Sequence, residues 1–159
     1  MENPIDSENP PHKETEKPKA FLALKFDSGA IEESQKRGES LITVLEEAGL
    51  EVSCLVKDEE WGKYPKEHPI LEAFERIKQS NLLIVDASGE TGFGMGAEAG
   101  YAKALGKKVI MVCSEGTSLK LTRTDVSDEI VQYKDLGDLS QKLKPLVMGL
   151  EKPAPNVGN

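Results

Sequence analysis

The chain has 159 residues, of which 30% are charged and 38% hydrophobic, and its formal net charge is −8. This length suits one domain, and the acidic balance argues against non-specific nucleic-acid binding, which depends on clustered Lys and Arg. No run approaches the ~20 apolar residues of a membrane span, and the acidic, proline-rich start lacks the segments of a secretory signal. We therefore expect a cytoplasmic protein that binds neither nucleic acid nor membrane.

Both ends of the chain have a composition typical of disorder. Residues 1–19 contain four of the nine prolines, and Met1 and Ile5 are their only large apolar side chains. Residues 151–159 contain two more prolines. Such segments bury too little surface to offset the entropy lost on ordering. The sequence therefore predicts one folded domain at 20–150 between two disordered tails.

Strand-like and helix-like stretches alternate between the tails. The predicted strands are 20–26, 51–56, 81–87, 108–113 and 129–133, and the predicted helices are 31–48, 70–79, 94–105 and 139–150. The third strand is apolar almost throughout, as is typical of a central parallel strand buried on both faces. Gly49 and Gly106 each follow a helix, where glycine is the usual C-terminal cap. Repeated β-α units predict an α/β domain with about five parallel strands sandwiched by helices.

The two cysteines give no sign of a metal site. Cys54 and Cys113 both lie in apolar runs, which is typical of buried free thiols in a reducing compartment. No metal-ligand spacing is present in the sequence. We therefore predict a protein without a metal.

The expected functional edge of the sheet follows from its parallel strands. Ligands bind beyond the carboxyl ends of the strands in such sheets. The segments that follow predicted strands there are Asp27–Ser28, Asp86–Glu90 and Ser114–Glu115.

The most informative segment is Ser88–Tyr101, SGETGFGMGAEAGY, which leads from the central strand into a helix. Its glycines let the backbone approach a ligand closely, and free N–H groups at a helix start attract anions. Alternatively, the glycines only let the helix pack tightly on the sheet. Gly92, Gly94 and Ala97 also satisfy a loose dinucleotide-binding pattern. That pattern, however, begins its turn directly at the strand end, and five residues intervene here.

Glu98 is the candidate catalytic residue of this segment. It lies near the helix start among glycines and alanines, and the helix dipole there favours the ionised carboxylate. A carboxylate with open space above it is what nucleophilic attack on an anomeric carbon requires. The alternative is a solvated glutamate that only complements the dipole.

The segment Gly94–Ala102, GMGAEAGYA, followed by Gly106-Lys107 and the apolar run Val109–Val112, resembles the signature of the nucleoside 2-deoxyribosyltransferase family. Relatives of that family include 2′-deoxynucleoside 5′-phosphate N-hydrolases and cytidylate N-glycosidases. The order of elements from residue 20 to 112 also matches. The resemblance implies a Rossmann-like or flavodoxin-like fold and Glu98 as the nucleophile that attacks C1′. The base would leave, and another base or water would resolve the glycosyl-enzyme without a cofactor.

The resemblance also implies partners. They are a nucleoside or nucleotide substrate, a free nucleobase, and further copies of the chain in a homodimer or larger homo-oligomer, whose sites are completed across the interface.

The chain departs from the family pattern at two acids. The aspartate expected before the central strand falls on Ala73, where Glu72 or Glu75 could substitute. The second acid expected before the glycine turn falls on Gly92, although Asp86 and Glu90 lie close. These departures leave open whether activity is retained.

A third departure concerns the loop after the first strand. Phosphate-preferring relatives have a Gly-Ser-Arg-like loop there, whereas this chain has Phe26-Asp27-Ser28-Gly29. Because an aspartate repels a phosphate, the sequence favours nucleosides over nucleotides.

Two aromatic residues have alternative roles. Trp61, in a Glu-Glu-Trp-Gly sequence similar to a Trp-Gly of the cytidylate N-glycosidases, either stacks on a base or anchors its loop. Tyr101 either orients Glu98 or packs. The complete predicted substrate-binding set is Asp27, Ser28, Trp61, Glu72, Glu75, Asp86, Ser88, Gly92, Gly94, Gly96 and Tyr101.

Four functions are compatible with this sequence. The preferred one is transfer of a deoxyribosyl group between bases through Glu98. The alternatives are hydrolysis of the same bond on the same scaffold, a nucleotide-binding module without catalysis and, least favoured, a dinucleotide-binding protein.

Overall fold

A computed structural model of the chain describes residues 16–89 and 91–150. The two predicted tails therefore lie largely outside the described residues, as does Glu90. At the N-terminal boundary, the first strand begins at Lys19, whose N–H donates to Asn81 Oδ1 at 2.8 Å. Lys19 is thus part of the sheet, one residue before the predicted start of the domain.

Residues 16–89 and 91–150 form a sheet of five strands, all parallel, in the order β2-β1-β3-β4-β5. The strands are β1 Lys19–Ala23, β2 Glu51–Ser53, β3 Leu82–Asp86, β4 Lys108–Ser114 and β5 Glu129–Tyr133. Every residue of β3 is buried, because helices cover both faces of the sheet at its centre. The predicted α/β fold with a five-stranded parallel sheet is confirmed.

In the part of the chain that the structure describes, six helices surround the sheet: α1 Ile31–Glu47, α2 Leu55–Asp58, α3 Pro69–Lys78, α4 Phe93–Ala104, α5 Leu121–Val126 and α6 Leu136–Met148. One apolar core joins α1 and α6 to the first face of the sheet. The other joins α3 and α4 to the second face and includes Leu55 of α2 and, at its margin, Val126 of α5. Alternate residues of β1, β3 and β4 supply the two cores because successive side chains point to opposite faces.

The two predicted glycine caps are confirmed. Gly49 and Gly106 follow α1 and α4 with φ angles of 101° and 71°, in the left-handed region that favours glycine. In each case the next residue donates back into the last turn: Leu50 N–H to Leu45 C=O at 3.2 Å, and Lys107 N–H to Ala102 C=O at 2.9 Å. These bonds close each helix and direct the chain into the next strand.

Two helices were not predicted. The second strand, expected over 51–56, ends at Ser53, and the chain turns into α2, which buries Leu55. This strand is at the edge of the sheet and pairs over three residues only. Helix α5 has no buried residue, so its sequence carries no apolar periodicity from which a helix could be predicted.

Other predicted features can be located in the described residues. Both cysteines are buried free thiols. Within residues 16–89 and 91–150, no cluster of three His, Cys, Asp or Glu side chains could hold a metal ion. None of the helices in those ranges combines the length and apolar character needed to span a bilayer.

Candidate active site

The strand order places a ligand crevice above β1 and β3. From β1 the chain goes outward to β2, and from β3 it goes outward in the opposite direction to β4 and β5. At such a switch point, the loops beyond the carboxyl ends of the two central strands diverge and leave a crevice. The loops here are 24–30 after β1 and 87–92 after β3.

Asp86, the last residue of β3, is held by an arginine that the sequence analysis did not select. The Asp86 carboxylate is buried, and Arg37 Nη2 on α1 donates to both of its oxygens, at 2.7 and 2.6 Å. The Arg37 side chain is half-exposed. The ion pair neutralises the buried aspartate and positions the guanidinium at the carboxyl edge. Asp86 is therefore engaged by the protein itself.

Ser88 joins the ends of three strands. Its Oγ accepts from Ser114 N–H at 3.3 Å, at the end of β4, and lies 3.4 Å from the Tyr133 hydroxyl at the end of β5. Ser88 N–H donates to Asp86 Oδ1 at 3.2 Å. Ser88 therefore fixes the loop that leads into the glycine-rich turn.

Glu98 lies in the second turn of α4, on the flank that faces α3. Met95, Ala99 and Ala102 are the buried residues of α4, and they project within about 100° of Glu98 around the helix. Burial raises the pKa of the Glu98 carboxyl from 4.5 to about 7, and among the described residues no charged neighbour adds to the shift. A carboxyl group whose pKa is raised by desolvation is a candidate for a functional site.

The glycines around Glu98 border open space. A Cβ atom added at Gly92, Gly94, Gly96 or Gly100 would meet no other atom of the described residues within 4 Å. Tight packing of this helix on the sheet is therefore not what requires them. They leave open surface at the start of α4, beside Glu98.

Tyr101 packs and does not orient Glu98. Its ring stacks on Phe74 of α3, with centroids 4.1 Å apart and planes inclined by 18°. The pKa of Lys78, at the C-terminal end of α3, is raised mainly by its hydrogen bond to Glu75, and Tyr101 adds a smaller contribution. The Tyr101 hydroxyl is therefore directed toward Lys78. Of the two roles considered for Tyr101, the structure favours packing.

The acids of α3 are not brought together with Glu98. Glu72 accepts from Arg76 Nε at 3.1 Å, and Arg76 also pairs with Asp58. This network lies on the flank of α3 away from Phe74 and α4. Glu75 pairs with Lys78 at 2.7 Å.

Ala73, onto which the family's aspartate falls, is fully buried in the second core. This position cannot contact a ligand, so an ungapped match does not supply the expected acid.

The loop after β1 is exposed and closes on itself. Asp27 Oδ1 accepts from Gly29 N–H at 2.8 Å, and Asp27 C=O accepts from Ala30 N–H at 3.1 Å. These bonds form the turn that leads into α1, while Ser28 at its tip is exposed. Asp27 and Ser28 thus lie at the predicted edge of the sheet, with the Asp27 carboxylate partly satisfied by its own turn.

Trp61 is packed against the scaffold. Its ring is partly buried on the first core and fills the space above Gly38 of α1, where an added Cβ would lie 2.6 Å from Trp61 Cζ3. Glu60, Trp61 and Gly62 all have positive φ angles, of 48°, 56° and 87°. A bulky residue in this region is rare and is retained only where its surroundings hold it. The structure favours the loop-anchoring role of Trp61.

A cleft that the sequence analysis missed lies between α4 and α5. Its volume is about 360 Å³, and Gly96 and Ala99 of α4 form one wall. Lys120 and Arg123 line the other side. Of the residues of α4 that line the cleft, Gly96 projects about 160° from Glu98 around the helix and Ala99 about 100° from it.

One of the missed residues carried a signal. Arg37 lies four residues before Leu41 on the apolar face of α1, where a charged side chain needs a buried partner. Lys120 and Arg123 carried none, because α5 itself was not predicted.

Comparisons with known proteins agree with this fold. No protein-family model matches the chain, and no curated protein sequence does. Among solved structures, the CMP N-glycosidase BcmB of Clostridium botulinum is 28% identical, with a TM-score of 0.59 over 80% of this chain and 98% of that chain. A 2-deoxyribosyltransferase of Bacillus psychrosaccharolyticus is 22% identical, with a TM-score of 0.60 over 79% and 95% of the two chains.

A more distant match shows the fold alone. A response regulator receiver protein of Sinorhizobium medicae has 14% identity and a TM-score of 0.51, over 86% of this chain and 98% of that chain. The strand order 2-1-3-4-5 is that of flavodoxin-like domains in general. The resemblance of this chain to the nucleoside 2-deoxyribosyltransferase family, seen first in its glycine-rich segment, is confirmed over about four fifths of its length.

Proposed function

We propose that this protein cleaves the N-glycosidic bond of nucleosides or nucleotides, with Glu98 as the nucleophile. The observation that carries the proposal is the Glu98 carboxyl: desolvated, with its pKa raised to about 7, and bordered by glycines that leave open space. The similarity to a CMP N-glycosidase and a 2-deoxyribosyltransferase supports the same bond as the target.

The reaction proceeds in two steps. The ionised Glu98 carboxylate attacks C1′, the C1′–N bond breaks, and the base leaves with the bonding electron pair and takes up a proton. The resulting glycosyl ester is then attacked at C1′ by a second base, which gives a new nucleoside, or by water, which gives the free sugar. Either attack breaks the ester bond and returns the Glu98 carboxylate, and the attacking base or water gives up a proton. Both steps are substitutions at C1′, so no redox partner is needed.

The raised pKa of Glu98 predicts the pH dependence of the first step. Below pH 7 the carboxyl is mostly protonated and cannot attack. The value of kcat/KM should therefore rise with pH through about 7, because kcat/KM reports ionisation of the free enzyme. A profile that is flat between pH 5.5 and 8.5 would contradict a nucleophilic Glu98.

The decisive experiment is chromatographic detection of base release from a panel of nucleosides and their 5′-monophosphates. Glu98→Gln should lower the rate on the order of 10³-fold or more, since it removes the attacking group. Glu46→Gln, an exposed glutamate of α1, is the matched control and should keep full activity. Wild-type turnover by Glu98→Gln would exclude the assignment.

Transfer is separated from hydrolysis by the fate of the glycosyl group. Denaturing mass spectrometry of quenched enzyme should show one added glycosyl group on the peptide that contains Glu98. For the preferred transferase, a free purine or pyrimidine should discharge this adduct into a new nucleoside. Release of free sugar at a rate independent of added base would favour the hydrolase.

The proposed assembly is a homodimer or larger homo-oligomer. Phe93 and Leu121, the first residues of α4 and α5, are 93% and 80% exposed, so a contact between copies of the chain at this end of the two helices would remove large apolar side chains from water. A second copy of the chain would cover them and narrow the opening above the glycine turn. Light scattering coupled to size exclusion tests this, and Phe93→Ser should shift the distribution toward monomer.

A further inference from the structure

Asp86 and Arg37 form an ion pair that the core of the sheet does not require. Two earlier positions on the same face of β3 hold Leu82 and Ile84, which belong to the first core. An apolar side chain at position 86 would continue that pattern. Instead, the Asp86 side chain is 3% exposed and needs the Arg37 guanidinium to compensate its buried charge. This cost points to a role other than packing.

The ion pair lies on the face of the sheet opposite to α4. Side chains alternate along β3, so Asp86 projects to the face of Leu82 and Ile84, on which α1 packs. Helix α4, which carries Glu98, packs on the other face. The route from the ion pair to the proposed reaction is therefore the backbone that joins β3 to α4.

One oxygen atom of Asp86 joins Arg37 to that backbone. Asp86 Oδ1 accepts from Arg37 Nη2 at 2.7 Å and from the Ser88 N–H at 3.2 Å. Ser88 Oγ accepts from the Ser114 N–H at 3.3 Å and lies 3.4 Å from the Tyr133 hydroxyl. The start of the loop after β3 is thus attached to α1, β4 and β5. The same loop borders the crevice above β1 and β3.

We propose that Arg37 is a positioning residue: it neutralises Asp86, and the Asp86 carboxylate then holds the loop after β3 in the conformation that binds substrate. This inference rests on the proposed function and adds to it a residue that acts without contacting the reacting atoms. Without the guanidinium, the buried carboxylate would turn toward water. The Ser88 N–H would then lose the acceptor that fixes its backbone.

Amide hydrogen exchange of the full-length protein, followed by NMR, tests this attachment directly. Arg37→Met should speed exchange of the Ser88 amide about tenfold or more, because the bond that protects it is lost. The Ala87 amide donates to Val112 C=O at 2.9 Å within the sheet, so it should stay protected and is the internal control. Lys36→Met removes the same charge from an exposed neighbouring position of α1 and should change neither rate.

Substitutions at position 86 separate the charge from the hydrogen bond. Asp86→Asn keeps an oxygen that can accept from the Ser88 N–H but carries no charge. When it is combined with Arg37→Met, Ser88 exchange should return to within about threefold of the parent rate. Asp86→Ala removes the acceptor and should speed Ser88 exchange. Because Asp86→Ala leaves no unpaired buried charge, it makes the same test if Arg37→Met does not fold.

Base release gives the functional readout. Arg37→Met should lower kcat/KM about tenfold or more, and adding Asp86→Asn should recover most of the loss. Arg37→Lys should keep most of the activity, because a single nitrogen of Arg37 donates to both Asp86 oxygens. The pH midpoint of kcat/KM, set by the Glu98 pKa of about 7, should not move. A raised midpoint in Arg37→Met would mean that the unpaired Asp86 charge acts on Glu98 directly, and would overturn the inference.

The outcomes distinguish this inference from the proposed reaction. Ser88 exchange that depends on Arg37 and is restored by Asp86→Asn, in a protein that releases no base, would support the attachment of the loop and exclude the reaction. Base release with kcat/KM and Ser88 exchange unchanged in Arg37→Met would support the reaction and overturn the inference. Equal acceleration at Ser88 and Ala87, or a loss of kcat/KM that Asp86→Asn does not recover, would also overturn it.

Discussion

Two regions of this protein use glycine for opposite purposes. Around Trp61, glycine makes room for the protein's own aromatic rings: a Cβ at Gly38 would lie 2.6 Å from Trp61 Cζ3, and one at Gly62 would lie 2.7 Å from Phe26 Cε1. At the start of α4, a Cβ on any of the four glycines would meet nothing in the described residues within 4 Å.

The difference indicates which glycines the fold needs. Gly38 and Gly62 are requirements of packing, because larger residues would collide with rings that cannot easily move. The glycines of α4 cost helix stability, up to about 1 kcal/mol each relative to alanine, and the surrounding structure does not require them. We interpret this cost as the mark of a surface reserved for a ligand or another copy of the chain.

The first prediction tests the packed region. Gly38→Ala should lower the free energy of unfolding by about 2 kcal/mol, because overpacking against the Trp61 ring outweighs the gain in helix propensity. In a Trp61→Ala background, the loss of stability caused by Gly38→Ala should be smaller, because only the flexible end of the Leu24 side chain would remain close to the added Cβ. Urea denaturation of the four proteins in this cycle measures the coupling.

A Gly38→Ala effect that is the same in both backgrounds would show that Trp61 does not fill this space. The Leu24 side chain, 2.7 Å from the same added Cβ, would then be the obstacle. Leu24→Ala in place of Trp61→Ala distinguishes the two.

The second prediction tests the open region through its charge. The folded-state pKa of Glu98, about 7, lies above its ordinary value of 4.5, so between these pH values the folded protein binds more protons than the unfolded chain. Stability should therefore fall as pH rises through this window. Glu98→Gln should stabilise the protein at pH 8, on the order of 1–2 kcal/mol for a carboxyl still partly in contact with solvent.

The same substitution should have little effect on stability below pH 4.5, where both states are protonated. Melting temperatures of the two proteins at pH 4, 6 and 8 measure this divergence. A difference between them that does not change with pH would mean that the Glu98 carboxyl is not desolvated in the folded state.

The third prediction compares two glycines of α4 and has the smallest effect on stability. Gly100→Ala should raise the free energy of unfolding by about 0.5–1 kcal/mol, and Gly94→Ala, in the first turn, by less. Only Gly94 lies one helical turn from Glu98 on the same flank. Gly94→Ala should therefore raise KM or lower kcat, while Gly100→Ala leaves both unchanged. Equal effects on turnover would mean that the open surface is not a substrate site.

Much of the fold could be predicted because its signals are local. The buried run of β3 and the glycines after α1 and α4 each specify structure through a few neighbouring residues, and all were located correctly. Helices α2 and α5 were missed for a common reason. Each is short and depends on tertiary contacts, such as those of Leu55 with the second core, rather than on its own periodicity.

The site was less predictable than the fold, because it is assembled from distant segments. Sequence alone identified the segment that holds Glu98 and the edge of the sheet where it belongs, since a glycine-rich turn between a buried strand and a helix is a continuous pattern along the chain. Only the tertiary structure showed that Arg37 neutralises Asp86 and that Trp61 fills the space above Gly38. It likewise placed Ala73 in the core and brought Lys120 and Arg123 to one cleft. Burial, ion pairing and the grouping of charged side chains depend on which helices and loops lie next to one another in the folded chain. Residue spacing along the chain does not encode these neighbours.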